Sequence, residues 1–456
     1  VTATTTTSGR PAAGGGDAEL VDELHAWLEA NWDPDLTVGE WWERLGMAGW
    51  SAPSLPEHAY GRGLSRAESV RVAQVIAEFG ALGAPAGLGL LLAAPTIVTH
   101  GTPEQIDAYV VDIVTGKKAW CQLFSEPSAG SDLAGLQTRA VRDGEEWVVN
   151  GQKVWTSGGQ VADLGMLLAR TDPLVPKHQG ISYFALDMHQ PGVEVRPLRE
   201  MTGRALFNEV FLTDARVGTG ALIGGVHQGW AVANTTLANE RAGLGSGGGG
   251  GGGFGATPGT IAGHLGRRAG DFAPRAKDPT RDQANGRAAS ERPSPRAMRG
   301  SADPLISLAR ATGRNLDPTI RQGLVRLYTW SELGRLNSLR LKAVRESGGD
   351  IPGMPNIAKL SMSNIVRLSR DVGLEIAGAA GTLHGYDDAG KASLEGALPD
   401  PSVSSVTEMA LLAQAPPIYG GTDQIQRNII GERVLGLPRE PSNDRTTPFA
   451  ELAKNA

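Results

Sequence analysis

Apolar positions along this 456-residue chain change period twice. From Asp17 to about residue 116 they recur at helical spacing. Leu20, Val21, Leu24, Trp27 and Leu28 form one apolar stripe, and Asp17 is placed to cap its start. Trp41, Trp42 and Trp50 mark a second apolar face, and Pro53 and Pro56 a loop. Val72, Val75, Ile76 and Phe79 repeat the i, i+3, i+4, i+7 pattern, and Thr102-Pro103-Glu104-Gln105 opens a further helix. From Lys118 to about residue 217 the pattern alternates. Strands are expected at 120–125, 138–142, 147–150, 152–156, 166–170, 181–186, 193–198 and 209–213, with Gly, Pro or Asp clusters between several of them. Asp143-Gly144 and Asn150-Gly151 are both hairpin dipeptides, so 138–142, 147–150 and 152–156 read as consecutive antiparallel strands. Helical spacing returns at 229–244 and again at 304–345, 355–380 and 405–413. Thr422 is a good N-cap for a last helix, with Asp423 in its first turn, and Gly436 and Pro438 end it.

The pattern divides the chain. Residues 1–16 are Thr-, Ala- and Gly-rich and are expected to be disordered. A helical domain over 17–116, a β domain over 117–225 and a second helical domain over 226–440 follow, with a loose tail at 441–456. The last helical domain is interrupted at 246–301, where seven consecutive glycines precede a stretch dominated by Arg, Ala, Gly and Pro. Such composition has too little apolar area to offset the entropy of ordering, so it reads as a mobile insertion. A phosphate-cradling loop would need a strand before the glycines and a defined Lys or Ser after them, and neither is there.

Composition narrows the function. With 43 Lys and Arg against 49 Asp and Glu, the net charge is −6, which does not suggest nucleic-acid binding. No apolar run approaches a membrane span. The single Cys121 excludes an internal disulfide and a Cys-based metal site, and reads as a small buried hydrophobe. A cytoplasmic location is expected. No two of the eight His stand at metal-ligand spacing, so no metal is expected.

The stretch from Trp120 to Gly159 carries the chemistry. Leu123 and Phe124 lead along a strand to Ser125, and Glu126-Pro127 stops it. The small-residue loop 128–131 lets a ligand approach the backbone closely. The hydroxyls of Ser125 and Ser157 and the indole of Trp155 are expected on one surface, suited to a planar, polar, redox-active ring.

Three separated stretches resemble the acyl-CoA dehydrogenase family: Phe124-Ser125-Glu126-Pro127-Ser128-Ala129-Gly130-Ser131-Asp132; Asn150-Gly151-Gln152-Lys153-Val154-Trp155-Thr156-Ser157; and Tyr419-Gly420-Gly421-Thr422-Asp423-Gln424-Ile425-Gln426-Arg427-Asn428-Ile429-Ile430. The resemblance implies an α+β fold: an N-terminal α-helical domain, a middle antiparallel β-barrel domain and a C-terminal four-helix bundle. It implies FAD, with Gln122, Phe124, Ser125, Ser131, Trp155, Thr156 and Ser157 as ring-side contacts. Arg310, Thr312, Gln322, Glu375, Gly378 and Ala379 would serve the flavin of a neighbouring subunit, and Thr422 and Gln424 the last flavin contacts. Ser131, Arg241, Gly420 and Gly421 match positions near the acyl-CoA. Electron-transferring flavoprotein is the implied acceptor, and a homotetramer or a heterotetramer with a related chain the implied assembly. Two positions depart from the family's pattern: Gly313 stands where an aromatic is usual, and Glu375 where Gln is common.

The base is the informative departure. Many members carry Glu directly after the Tyr of the last motif, and this chain has Gly420 there. A minority, isovaleryl-CoA dehydrogenases among them, place the Glu on a helix immediately before an Arg. Leu237-Ala238-Asn239-Glu240-Arg241 supplies that arrangement, which makes Glu240 the expected base. Two alternatives stand beside the dehydrogenase reading: a non-catalytic subunit of a heterotetramer, and a flavin oxidase on the same fold.

Overall fold

The computed structural model describes residues 16–244, 264–274, 302–398 and 400–453. These form two compact units, one made of 16–119 with 264–274 and the other of the remaining described residues.

The first unit is helical. Its helices are α1 (Gly16–Asn31), α2 (Val38–Met47), α3 (Arg66–Phe79) and α4 (Ala94–His100), then α5 (Pro103–Gln105) running through a π turn into α6 (Val111–Val114). Thr37 and Ser65 each close a capping box, with Glu40 and Glu68 respectively, which fixes where α2 and α3 begin. Leu24, Leu28, Trp41, Trp42, Leu45, Val75 and Ile76 are buried together in one core. The indole N–H groups of Trp41 and Trp42 donate to the carbonyls of Leu82 and Gly83, so neither ring is buried with an unmet donor.

Residues 264–274 belong to this unit, which corrects the expectation of a mobile stretch for that part of 246–301. The Val38 and Gly39 amides donate to the carbonyls of Arg267 and Leu265, and the Ala269 and Gly270 amides donate to those of Leu36 and Pro34. Ala269 is fully buried, and Leu265 and Phe272 pack on the same core. The segment's few apolar residues are spent on one face, and its backbone finds partners on the α1–α2 connection. The rest of 246–301, and residues 1–15, lie outside the described residues.

The second unit opens with an eight-stranded sheet: β1 (Trp120–Leu123), β2 (Arg139–Asp143), β3 (Glu146–Ser157), β4 (Leu164–Arg170), β5 (Ile181–Asp187), β6 (Val193–Leu198), β7 (Phe207–Gly218) and β8 (Leu222–Ile223). The strand order is β6-β7-β3-β2-β4-β5-β8, and β1 pairs with β4. The pairs are antiparallel except β1 with β4, and a parallel bridge of β2 to β4 at Arg139 and Arg170. One face buries Cys121, Leu123, Val149, Leu167, Phe184, Leu186, Val210 and Leu212. Each large apolar side chain so buried contributes about 1.5–3 kcal/mol.

Asn150-Gly151 is not a hairpin: β3 runs through it without turning. The register against β7 shifts between Val149 and Gly151, which is a bulge. A Cβ on Gly151 would lie 2.3 Å from the Thr138 hydroxyl, so glycine here serves a close approach of two strands. The Asn150 side chain pairs across the sheet with Asp214.

Helices follow: α7 (Gly229–Leu244), α8 (Asp303–Ala311), α9 (Pro318–Glu346), α10 (Met354–Ala377), α11 (Asp388–Ala397), α12 (Ser402–Leu412) and α13 (Asp423–Ile429). Gly313, with φ +70°, and Pro318 divide the helical stretch expected over 304–345 into α8 and α9. Leu305, Leu308, Leu327, Val372, Ile376, Val406 and Met409 form the helical core.

The tail expected to be loose packs on the sheet domain. The amides of Phe449 and Ala450 donate to the carbonyls of Val175 and Pro173, and Phe449 is buried.

Candidate active site

The loop after β1 is held from below. Glu126 closes a tight turn with Ala129 through paired backbone hydrogen bonds, N to O at 3.0 and 3.1 Å. Its carboxylate accepts from the amides of Gln137 and Thr138 at 2.6 and 2.9 Å, and from Lys153 Nζ at 2.8 Å. Lys153 also donates to the Phe124 carbonyl at 3.1 Å. The two side chains are 0% and 5% exposed, so this is a buried ion pair. Burial alone would raise the Glu126 carboxyl, but the ammonium and the hydrogen bonds outweigh it and hold the group below the usual range. Sequence reasoning missed this pair. Its signal was a Lys at an inward position of an alternating strand, between Gln152 and Val154.

Beside this pair, β3 irregularly passes Ser125: the Val154 amide donates to the Ser125 carbonyl at 2.9 Å. The register against β7 shifts again between Lys153 and Thr156. Trp155 sits in that shift with φ +60°, a costly conformation for a bulky residue, and the residue is 61% exposed. Phe207 supports it edge-on at 5.8 Å. The Thr156 hydroxyl is buried without a partner. Ser125 and Ser157 are partly buried. Phe124 is buried edge-on against Tyr183. Ser125 and Val154 thus join the two motif stretches directly.

Glu240 reaches the same region on α7. Gly229 seats the start of α7 directly on β5, since a Cβ there would lie 2.5 Å from the Ser182 carbonyl carbon. The His227 amide donates to the Ser182 hydroxyl, and Thr236 lies 3.4 Å from the Tyr183 hydroxyl. One turn beyond Thr236, Glu240 Oε2 accepts from Gln122 Nε2 of β1 at 3.4 Å. Desolvation pushes the Glu240 carboxyl above the ordinary glutamate range, partly offset by the Gln122 hydrogen bond and the charge of Arg241. Arg241 is exposed at the end of α7, close enough to Arg433 to feel its charge.

The other expected residues fall into two groups. Gly420 and Gly421 have φ +63° and +80°, and their carbonyls accept from Gln426 Nε2 at 3.0 and 3.3 Å. Thr422 caps α13 through the Ile425 amide, and Gln424 is exposed. Asp423 is buried among Lys359, Ser363 and Arg367, which anchors that loop. The second group gathers where α8 and α10 end. Arg314 donates to the Glu375 carbonyl at 3.1 Å, and Thr312 donates to the Leu308 carbonyl. Arg310, Gln322, Glu375, Gly378 and Ala379 are exposed there, and Ser131 is exposed in the loop after β1. Among the described residues no group of three or more His, Cys, Asp or Glu could hold a metal ion. No helix is long and apolar enough to cross a membrane.

Family models for the N-terminal, middle and C-terminal domains of acyl-CoA dehydrogenases match residues 17–117, 121–215 and 284–435. Acyl-CoA dehydrogenase IpdE1 of Mycobacterium tuberculosis is 34% identical over 88% of this chain and 88% of its own length. The chain belongs to the acyl-CoA dehydrogenase family. Acyl-CoA dehydrogenase FadE34 of the same organism is 52% identical over 43% of this chain and 27% of its own length. A chain of the ChsE4-ChsE5 complex from Mycobacterium tuberculosis shares 25% identity and a TM-score of 0.60, covering 94% of this chain and 100% of that one. The steroid ACAD Tcur3481-Tcur3483 has the same fold, with a TM-score of 0.65 over 94% of this chain and 99% of that one at 24% identity. This acyl-CoA dehydrogenase is therefore an enzyme of a flavoprotein family, with helical N- and C-terminal parts before and after a middle sheet domain in the chain.

Proposed function

We propose that the chain is an FAD-dependent acyl-CoA dehydrogenase that removes the α-proton of an acyl-CoA thioester with Glu240. One observation carries this reading: a partly buried carboxyl with a raised pKa, held beside β1 by Gln122, on the helix that packs against β5. A carboxylate desolvated in this way is a stronger base than one in water. The residues present fit a flavin. Trp155 offers an exposed aromatic face, Thr156 an unpartnered hydroxyl, and Ser125 and Ser157 partly buried donors. FAD, when bound, supplies the acceptor for the hydride leaving the β-carbon.

This chain's residues do the rest. Glu240 takes the α-proton onto a carboxylate oxygen. Gln122 holds that carboxylate in place through one hydrogen bond, leaving it other lone pairs for the proton. The Glu126–Lys153 pair fixes the strand and loop that carry Ser125, so its position does not depend on solvent. Arg310, Thr312 and Gln322 with Glu375, Gly378 and Ala379 would reach the flavin of a second subunit. Val325, Tyr328, Leu333, Leu336 and Leu339 leave an apolar face of α9 at least half exposed, which supports assembly through that helix. The partner is a second copy or, as in the heteromeric ChsE4-ChsE5 complex, a related chain. Electron-transferring flavoprotein is the proposed acceptor.

Glu240→Gln tests the reading. The variant should retain flavin and lose its reduction by acyl-CoA about a hundredfold or more, as for removal of a general base. Reduction at the parental rate would remove Glu240 from the mechanism and move the non-catalytic-subunit reading ahead.

A further inference from the structure

We infer that residues 442–452 form a strap that positions the loop Ser128–Asp132 for binding acyl-CoA, with Asp444 and Phe449 as its two positioning residues. The inference rests on the reading of Ser131 as an acyl-CoA contact.

The strap acts through two cations. Lys177 has a side chain only 8% exposed, and its ammonium donates to both oxygens of Asp132, at 2.9 and 3.0 Å, and to the Asp444 carboxylate. Three donors on one ammonium thus tie the strap to the residue next to Ser131. The two carboxylates hold the Lys177 ammonium above the ordinary lysine range, although desolvation alone would lower it. Arg170 is the second cation. It is buried, donates to the carbonyls of Leu136, Ala134 and Lys177, and lies with its guanidinium 3.4 Å from the Phe449 ring centroid. Phe449 therefore covers the group that fixes the far end of the loop. A desolvated cation is attracted to the face of an aromatic ring, which favours this covered arrangement. A cavity of about 260 Å³ lies between loop and strap, with Ser128, Asp132 and Gln137 on the loop side and Asn443, Asp444 and Glu451 on the strap side.

The coupling is local. Removing the Asp444 carboxylate leaves Lys177 with Asp132 alone, and removing the Phe449 ring opens Arg170 to water. Either change loosens the loop that carries Ser131. The expected consequence is weaker binding of the CoA moiety, whatever the acyl group.

The experiment uses the full-length, flavin-loaded enzyme and free coenzyme A as the probe. Kd is measured by calorimetry for the parent, Asp444→Asn, Asp444→Glu, Phe449→Ala and Ser131→Ala, and amide exchange is followed over 128–137. Asp444→Asn and Phe449→Ala should raise Kd about three- to thirtyfold, speed exchange at 128–132 and leave flavin content unchanged. Asp444→Glu, which can still reach Lys177, should restore most of the affinity. A purely structural strap would lower thermal stability without the Kd change and without the rescue. If Ser131→Ala weakens binding while both strap variants bind like the parent, the strap does not position the loop. If Ser131→Ala also binds like the parent, the assignment of Ser131 falls, and the strap's role in substrate binding falls with it.

Discussion

Lys153→Met removes the ammonium from the buried pair and leaves the Glu126 carboxylate in place. Both side chains are almost completely inaccessible, so solvent cannot compensate. Breaking a buried pair by removing one partner costs about 3–5 kcal/mol, because an uncompensated charge stays inside. Here Glu126 retains its hydrogen bonds from the Gln137 and Thr138 amides, so the lower end of that range, about 3 kcal/mol, is expected. The pH dependence gives a sharper test. In the parent, the folded-state pKa of Glu126 is depressed, so its contribution is present above the unfolded value and is lost as pH falls through the folded one. In Lys153→Met, burial without the ammonium raises that pKa, and the carboxyl takes up a proton in mild acid. The deficit of the variant should therefore be largest near neutrality and should narrow as pH drops below the ordinary glutamate range. Urea unfolding followed by circular dichroism at several pH values measures it. Adding Glu126→Gln to Lys153→Met should recover part of the loss at neutral pH, since the buried charge is gone. A loss under about 1 kcal/mol at neutral pH, the size of a surface ion pair, would refute the reasoning, as would a deficit that grows in acid.

Three further outcomes are expected. The rate of flavin reduction at low acyl-CoA should rise with pH through a pKa above the ordinary glutamate range, because desolvation raises Glu240; a profile flat across that range would remove Glu240 as the titrating base. Leu336→Glu places a charge in the exposed apolar face of α9 and should shift light scattering toward smaller species with loss of flavin; an unchanged, flavin-loaded oligomer would place the interface elsewhere. The Val38, Gly39, Ala269 and Gly270 amides, all donating between 264–274 and the α1–α2 region, should exchange slowly with deuterium; exchange at the rate of an unstructured chain would mean that 264–274 does not dock.

The helical, strand, helical order was legible because apolar period is set by which face each element buries. Val72, Val75 and Ile76 and the alternating Cys121 and Leu123 are buried as the pattern requires. What stayed hidden depends on partners far away in the chain. Asn150-Gly151 carries the composition of a hairpin, yet β7 pairs along β3 on both sides of it and Thr138 occupies the space a Cβ would need. Residues 264–274 and the segment from Asn443 have too few apolar residues to show a period. Each is ordered by a handful of backbone hydrogen bonds and one or two apolar side chains, Leu265 and Phe272 in the first case and Phe449 in the second. Composition averages over such anchors and reports the surroundings.

The candidate site divides in the same way. Motif residues named it, but what holds them there is conformational. Trp155 presents its ring because a register shift and a φ of +60° turn it out of an otherwise alternating strand, an arrangement that a buried lysine two residues earlier helps to fix. Gly420 shows the converse. A Glu at that position would have to adopt φ +63°, which costs a residue with a Cβ about 1–2 kcal/mol, unless the loop capped by Gln426 moved. A carboxylate at position 420 would therefore come with either a strained residue or a shifted backbone. The loop as it stands suits a glycine, while the Glu240 carboxylate is carried by α7, which is seated on Ser182, and accepts a hydrogen bond from Gln122.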